Sequence, residues 1–161
     1  MNNLVIENVR IAPANFRNFA GRETQFNRKG DRNFIIFLDT DKAKAIEAQG
    51  WPVRWKPDRY NEGELRAQMK VNVKYVSRDG RRLTPPKVVV ITRKNRTSYD
   101  EEMVGLLDTM DIARCDLILS PYEYDGMNGH GVSAYLKTMY VTMAEDELDA
   151  KYAEEDGDEP W

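Results

Sequence analysis

Residues 69–80, MKVNVKYVSRDG, alternate without a break and then turn. Met69, Val71, Val73 and Tyr75 fall on one side, and Lys70, Asn72 and Lys74 on the other. That period of two belongs to a strand with one face in a core and the other in water. Asp79-Gly80 follows with hairpin chemistry. Working outward, Leu4 to Ile11 reads as a strand stopped before Pro13, and Lys87 to Lys94, after Pro85-Pro86, as another. The run Phe34-Ile35-Ile36-Phe37-Leu38 has no polar position, which predicts a strand buried on both faces with Phe34 and Phe37 in the core. Pro52 cannot donate to a ladder, so Trp51 to Trp55 reads as an edge segment, with Trp51 packed. Strands near Asp116–Tyr124 and Val132–Met143 flank the turn Asp125-Gly126-Met127-Asn128-Gly129.

Two short helices interrupt this β pattern. Thr40 is placed to cap the first, Asp41 to Gln49, with Gly50 as its stop. Asp100 is placed to cap the second, where Met103, Leu106, Leu107 and Met110 recur at helical spacing. Residues 14–32 carry neither period and read as a long loop or ribbon. Six or seven short strands with two helices and no βαβ rhythm predict a mainly β chain: an antiparallel barrel of the oligonucleotide-binding (OB) type with embellishments. An immunoglobulin-like sandwich is the alternative, but its regular turn spacing is missing. The expected organisation is one domain over residues 1–144 and a flexible acidic tail over 145–161, which has no apolar face to bury.

Composition narrows the function. With 41% apolar and 32% charged residues the chain reads as globular, and no apolar run nears the roughly 20 residues of a membrane helix. MNNLVIENVRIAP lacks the basic start and apolar stretch of a signal peptide. Cys115 is the lone cysteine, expected as a reduced core thiol in a cytoplasmic protein, and with His130 the lone histidine a structural zinc is excluded. No cofactor is expected. The formal net charge of −3 hides an asymmetry. Residues 145–161 hold nine acids against one base, Lys151, whereas residues 1–144 hold 18 acids against 23 bases.

The bases gather in two windows with aromatic rings between them. Residues 10–32 carry six bases against two acids, with Phe16, Phe19 and Phe26 interleaved. Residues 54–96 carry thirteen bases against four acids, with Trp55, Tyr60 and Tyr75. Cations follow phosphates and flat rings stack on bases, so the combination points to a single nucleic-acid strand. The candidate contacts are Phe16, Arg17, Phe19, Arg22, Phe26, Arg28 and Lys29 from the first window. The second adds Arg54, Trp55, Lys56, Arg59, Tyr60, Lys70, Lys74, Tyr75, Arg78, Arg81, Arg82, Lys87, Arg93, Lys94 and Arg96. Against this stand the ordinary readings, rings packed in a core or loop and bases forming a solvated face. A duplex reader would carry a basic recognition helix, and the 100–110 segment has no Arg or Lys.

The tail ends in DGDEPW, where Asp156, Asp158, Glu159 and Pro160 surround a single apolar anchor, Trp161. The tip resembles the acidic, aromatic-ended tails of bacterial and bacteriophage single-stranded DNA-binding proteins. The body resembles a phage-type branch of that family through NVRIAPANFRNFAGRETQFNRKGDRNFIIFLD, PPKVVVITRK and AYLKTMYVTMAEDELDAKY. The resemblance implies an OB fold, sequence-tolerant binding of single strands, and recruitment of replication and recombination proteins by the tail, in the host cytoplasm for a viral protein. This chain departs from the bacterial pattern in ending on tryptophan and in lacking the long Gly/Gln/Pro-rich linker. A homo-oligomer is among the assemblies the resemblance allows.

A metal-dependent nuclease would need clustered carboxylates, and Asp108, Asp111 and Asp116 form the sole internal group. No P-loop, HExxH, GxSxG or Cys-His pair is present, and His130 between two glycines reads as a solvated turn residue. The expectation is therefore a binding protein and not an enzyme. A β-barrel adaptor of a virion is the remaining alternative.

Overall fold

The computed structural model describes residues 1–144. The expected acidic tail over 145–161, Trp161 included, lies outside the described residues. Among the described residues nine strands form: β1 (Leu4–Ile11), β2 (Arg17–Asn18), β3 (Arg32–Leu38), β4 (Val53–Pro57), β5 (Leu65–Val73), β6 (Lys87–Ile91), β7 (Arg96–Tyr99), β8 (Ile112–Gly126) and β9 (Gly129–Met143). One α-helix, α1 (Thr40–Ala48), links β3 to β4.

Five strands close on themselves. β1 pairs with β3, β3 with β5, β8 with β1 and β9 with β8, all antiparallel. The last link is parallel: Val71 and Asn72 of β5 lie beside Ala134 and Tyr135 of β9. β1 serves two neighbours because it bends at Asn8, whose φ of 55° breaks the register between Ile6 and Val9. Asparagine tolerates that left-handed backbone, and its N–H donates to Asp116 Oδ1 at 2.8 Å. This ring, with a single parallel pair at its seam, is an OB-like fold. The closed ring separates it from the sandwich alternative. β4 extends the sheet beyond β5, and the β6–β7 hairpin extends it beyond β9 through a second parallel pairing.

Alternation fills the interior. Phe34, Ile36, Met69, Val71, Leu117, Leu119, Met139 and Val141 are all fully buried in one cluster. Burial of each such side chain contributes about 1.5–3 kcal/mol against the entropy of ordering it. Trp51 is buried as expected. The run 34–38 is a correction: it alternates like its neighbours, and Ile35 and Phe37 stand half-buried on the outer face. A continuous apolar run does not say which faces are covered, and here β5 matches it residue for residue with one face outward.

The helices differ in detail from expectation. α1 begins one residue early, because Asp39 and not Thr40 is the cap, its side chain accepting from Lys42 N at 2.8 Å. The second helix is a short 3-10 turn, Val104–Asp108, with Val104 and Leu107 buried and Leu106 exposed. Asp100 accepts from the N–H groups of Glu102 and Met103 ahead of it. The strand expected over 87–94 stops at Ile91, turns back and returns as β7.

Cys115 packs in the core between β1 and β9. Burial pushes its thiol up from 9.0 to about 12, against the opposing pull of the Arg17 charge. Its contribution is therefore fully present below about pH 9 and is lost as pH rises towards 12, because the unfolded chain gives up a proton that the fold retains. Between pH 9 and 10.5, denaturant titration should show wild type losing about 1.6 kcal/mol more stability than Cys115→Ala, from about 1.4 kcal/mol per pH unit with the unfolded thiol half titrated at the start. Equal losses in the two proteins would contradict it.

Candidate nucleic-acid interface

The alternation that fills the core also aligns the outside. On β5 the outward residues are Arg66, Gln68, Lys70 and Asn72. Register places Arg54 and Lys56 of β4 beside Gln68 and Arg66, and Phe37, Ile35 and Asn33 of β3 beside Gln68, Lys70 and Asn72. Across the parallel seam, Asn72 pairs with Tyr135. One face thus carries cations from two strands over a floor of half-buried apolar side chains. Arg66 Cζ lies over Phe37, 4.2 Å from the ring centroid, and Lys74 Nζ lies 5.3 Å from that of Tyr135.

Tyr135 opens an aromatic patch on the β8–β9 hairpin. Tyr122 meets it edge-on at 5.8 Å and stacks beside Tyr124 at 6.4 Å. Tyr124 in turn covers Gly131, where an added Cβ would sit 2.4 Å from the ring. Only glycine lets the tyrosine lie down there. Tyr122 and Tyr124 remain substantially exposed.

The loop between β1 and β3 forms the other rim. Its base is held by the buried carboxylate of Asp108, which accepts from Phe19 N at 2.6 Å and Ala20 N at 3.1 Å, with Arg22 Nη2 3.7 Å away. Asn18 and Arg22 exchange two hydrogen bonds. Gly21, with φ of 72°, lets the loop cross itself, since its Cβ would lie 3.1 Å from the Gly30 backbone. Near the tip, Thr24 and Asn27 pair through their backbones. The Asn27 amide donates to the carbonyls of Arg22, Arg28 and Asp31, and its oxygen accepts from Asn33 of β3 at 2.8 Å. Phe26 projects from this bracket 92% exposed.

Loop and sheet together enclose two adjoining hollows. One of about 630 Å³ is lined by Arg28, Lys70, Lys74, Tyr75, Arg78 and Tyr135 among others. The second, of about 310 Å³, is lined by Phe16, Arg22, Ile35 and others. Both also touch Phe26, Asn27, Asn33 and Lys70.

Of the residues singled out from sequence, Phe16, Arg22, Phe26, Arg28, Lys70, Lys74 and Arg78 come together in this trough, and Arg54 and Lys56 continue its face. Others do not. Phe19 is a correction: it is fully buried and stacks on Phe34 at 4.7 Å. Arg17 does border the smaller hollow, but its Nε and Nη1 donate to the carbonyls of Ala12, Leu107 and Met110. Tyr75 is buried in the trough wall beneath Arg32, whose guanidinium lies 5.2 Å from the ring, so it offers no free stacking face. Burial also raises its hydroxyl pKa. Trp55 points to the Ala67 side of β4, half-buried, and donates to Glu47 at 3.0 Å. Arg81 and Arg82 pair with Asp79 and Glu101. Lys29, Arg59 and Tyr60 are exposed outside the two hollows. Lys87, Arg93, Lys94 and Arg96 ride on the β6–β7 hairpin, also away from both. Sequence reading missed Arg66, Tyr122, Tyr124 and Tyr135. The spacing of Tyr122 and Tyr124 just before a turn was the available signal.

The family described as "Putative phage ssDNA-binding domain" matches residues 1–158. The chain belongs to that family. Among solved structures it is similar to the single-stranded DNA-binding protein of bacteriophage Enc34, at 10% identity and a TM-score of 0.51 over 94% of this chain and 89% of that one. The same phage protein in complex with single-stranded DNA matches at 10% identity and 0.51, over 89% and 88%. At such identity the likeness is one of fold. No curated protein matches the chain in sequence.

The Asp108 carboxylate links the 3-10 turn to the trough's loop, and removing it leaves two backbone donors near the core unpaired. Asp108→Ala should cost about 3 kcal/mol in urea unfolding, and Asp108→Asn, which keeps one acceptor, roughly half as much. A loss within 0.5 kcal/mol of zero for Asp108→Ala, about the size of an ordinary surface substitution, would show that the loop is held elsewhere.

Proposed function

We propose that this phage-family domain coats single-stranded DNA with little sequence preference, during replication, recombination or repair in the host cytoplasm. The observation that carries the reading is the register of β3, β4 and β5, which brings Arg54, Lys56, Arg66 and Lys70 to one face, with Lys74 just beyond β5 beside Tyr135 and exposed rings at both rims. Cations there follow phosphates, and Phe16, Phe26, Tyr122 and Tyr124 offer stacking faces to any base. The Enc34 protein, whose fold is similar, is known in complex with single-stranded DNA.

The proposed role is binding. The internal acids best spaced for a metal are otherwise engaged, Asp108 with Phe19 and Ala20 and Asp116 with Asn8. Among the described residues no group of three or more His, Cys, Asp or Glu is placed to hold a metal ion. His130 sits between Asp125 and Glu123 on the hairpin tip. No helix among the described residues is long and apolar enough to cross a membrane.

Residues 145–161 complete the proposal. Their acids compete for the basic face when DNA is absent, and strand binding frees Asp156, Asp158, Glu159, Pro160 and Trp161 for replication and recombination proteins. Deleting 150–161 should tighten oligo-dT binding at low salt and change it little at high salt, where screening removes the competition. Unchanged affinity across the salt range would end the competition idea.

The face itself is tested by fluorescence anisotropy with labelled oligo-dT and a matched duplex in a salt series. Single-strand binding should be much the tighter and should fall with salt. Replacing Lys70 and Lys74 together by alanine should lower the salt slope by about 1.4, from about 0.7 per phosphate contact. Replacing Lys87 and Arg96 should leave it unchanged. Equal effects of the two pairs, or no binding to oligo-dT at low salt, would sink the assignment.

A further inference from the structure

Phe26 is anomalous as an apolar side chain. It is 92% exposed, yet the loop beneath it is cross-braced and not loose. Its own N–H donates to Thr24 Oγ1 at 3.2 Å, Thr24 and Asn27 pair on either side, and Asn27 ties four points of loop and sheet together. A ring held out in water by an ordered scaffold gains nothing for the fold, since its apolar surface is left unburied. It is poised for something brought from outside.

Its position says what. Phe26 stands where the two hollows meet, and both count it, with Asn27, Asn33 and Lys70, in their lining. At about 310 and 630 Å³ each falls within the size range of small-ligand sites. Cations lie on each side: Arg22 by the smaller, Arg28, Lys74 and Arg78 by the larger, and Lys70 at the junction. A polyanion running through both hollows must pass Phe26.

Resting on the single-strand reading above, we propose that Phe26 is a wedge. It inserts between two consecutive nucleobases of the bound strand, sending one into each hollow and breaking the stack between them. Asn27 is the positioning residue that holds the wedge upright. The role goes further than a stacking platform, since a platform leaves neighbouring bases stacked on each other while a wedge separates them.

The distinction is measurable with an oligo-dT strand carrying two adjacent 2-aminopurines, whose fluorescence is quenched while they stack together. The full chain and its variants are titrated, with anisotropy recording binding on the same sample. Wild type should brighten the pair on saturation. Phe26→Ala, which removes an exposed side chain and should leave the thermal midpoint unchanged, should bind about tenfold more weakly and brighten the pair by less than half as much when saturated. Phe26→Trp should restore both, and Asn27→Ala should weaken binding while keeping part of the brightening. Saturated wild type without brightening, or Phe26→Ala with wild-type brightening, overturns the wedge while leaving the single-strand assignment in place. Absence of any anisotropy change with wild type overturns both.

Discussion

The parallel pairing of Val71 and Asn72 with Ala134 and Tyr135 is a short seam, yet the molecule is organised around it. Without it the chain would be an open sheet with the edges of β5 and β9 unpaired there. With it, Val71 and Ala134 face inward together and the core closes over Phe34, Met69 and Leu119. The same two pairs set Asn72 beside Tyr135 on the outside. That joins the cationic strands β4 and β5 to the tyrosines of the β8–β9 hairpin. Core and candidate interface are two faces of one register, and a one-residue slip would exchange them.

Charge on such a face is not uniform in purpose. Arg17 and Arg32 are the half-buried arginines of the loop region, and their guanidiniums go to backbone carbonyls. Desolvation lowers the Arg17 pKa, a cost offset in part by the charges of Cys115, Asp108 and Asp111. These arginines fasten the loop that forms the trough's rim. Lys70, Lys74, Arg28 and Arg78 remain exposed, with no ion pair among the described residues, so their charge is directed at solvent. The division follows from geometry: the planar fork of arginine satisfies several carbonyls at once, which a lysine ammonium does less well.

Much of the ring was legible in the sequence because half-buried strands write their period into it. Met69 to Tyr75 is the clearest case, and it located both a core wall and the cationic face. Phe37 was misread, since five apolar residues in a row carry no period to say that one face looks outward. The loop phenylalanines were beyond local reading. Phe19 and Phe26 sit in similar company, yet one lies under Asp108 and the other over Asn27, and only the folded loop separates them. Tyr135 was missed for another reason, since its place at the interface depends on a parallel contact with a strand some 60 residues earlier. The 3-10 turn at 104–108 buries Val104 and Leu107 at a three-residue spacing, and Val104 stands outside the helical pattern of Met103, Leu106, Leu107 and Met110.

The loop's bracing bears on how a small ring binds a flexible polymer. Ordering a single strand costs conformational entropy, and a protein that must also order its own loop adds to that cost. Here the cost on the protein side is met during folding. Asp108 grips the loop's base, Asn18 and Arg22 its shoulder, and Asn27 its tip. What these bonds sacrifice is adaptability, which matters little if the partner is a strand that bends more easily than the loop. A rigid rim beside a cationic sheet therefore suits a ligand whose backbone is uniform and whose bases vary. On the proposed reading, phosphates would meet fixed charges and the variable bases would meet flat rings that do not discriminate.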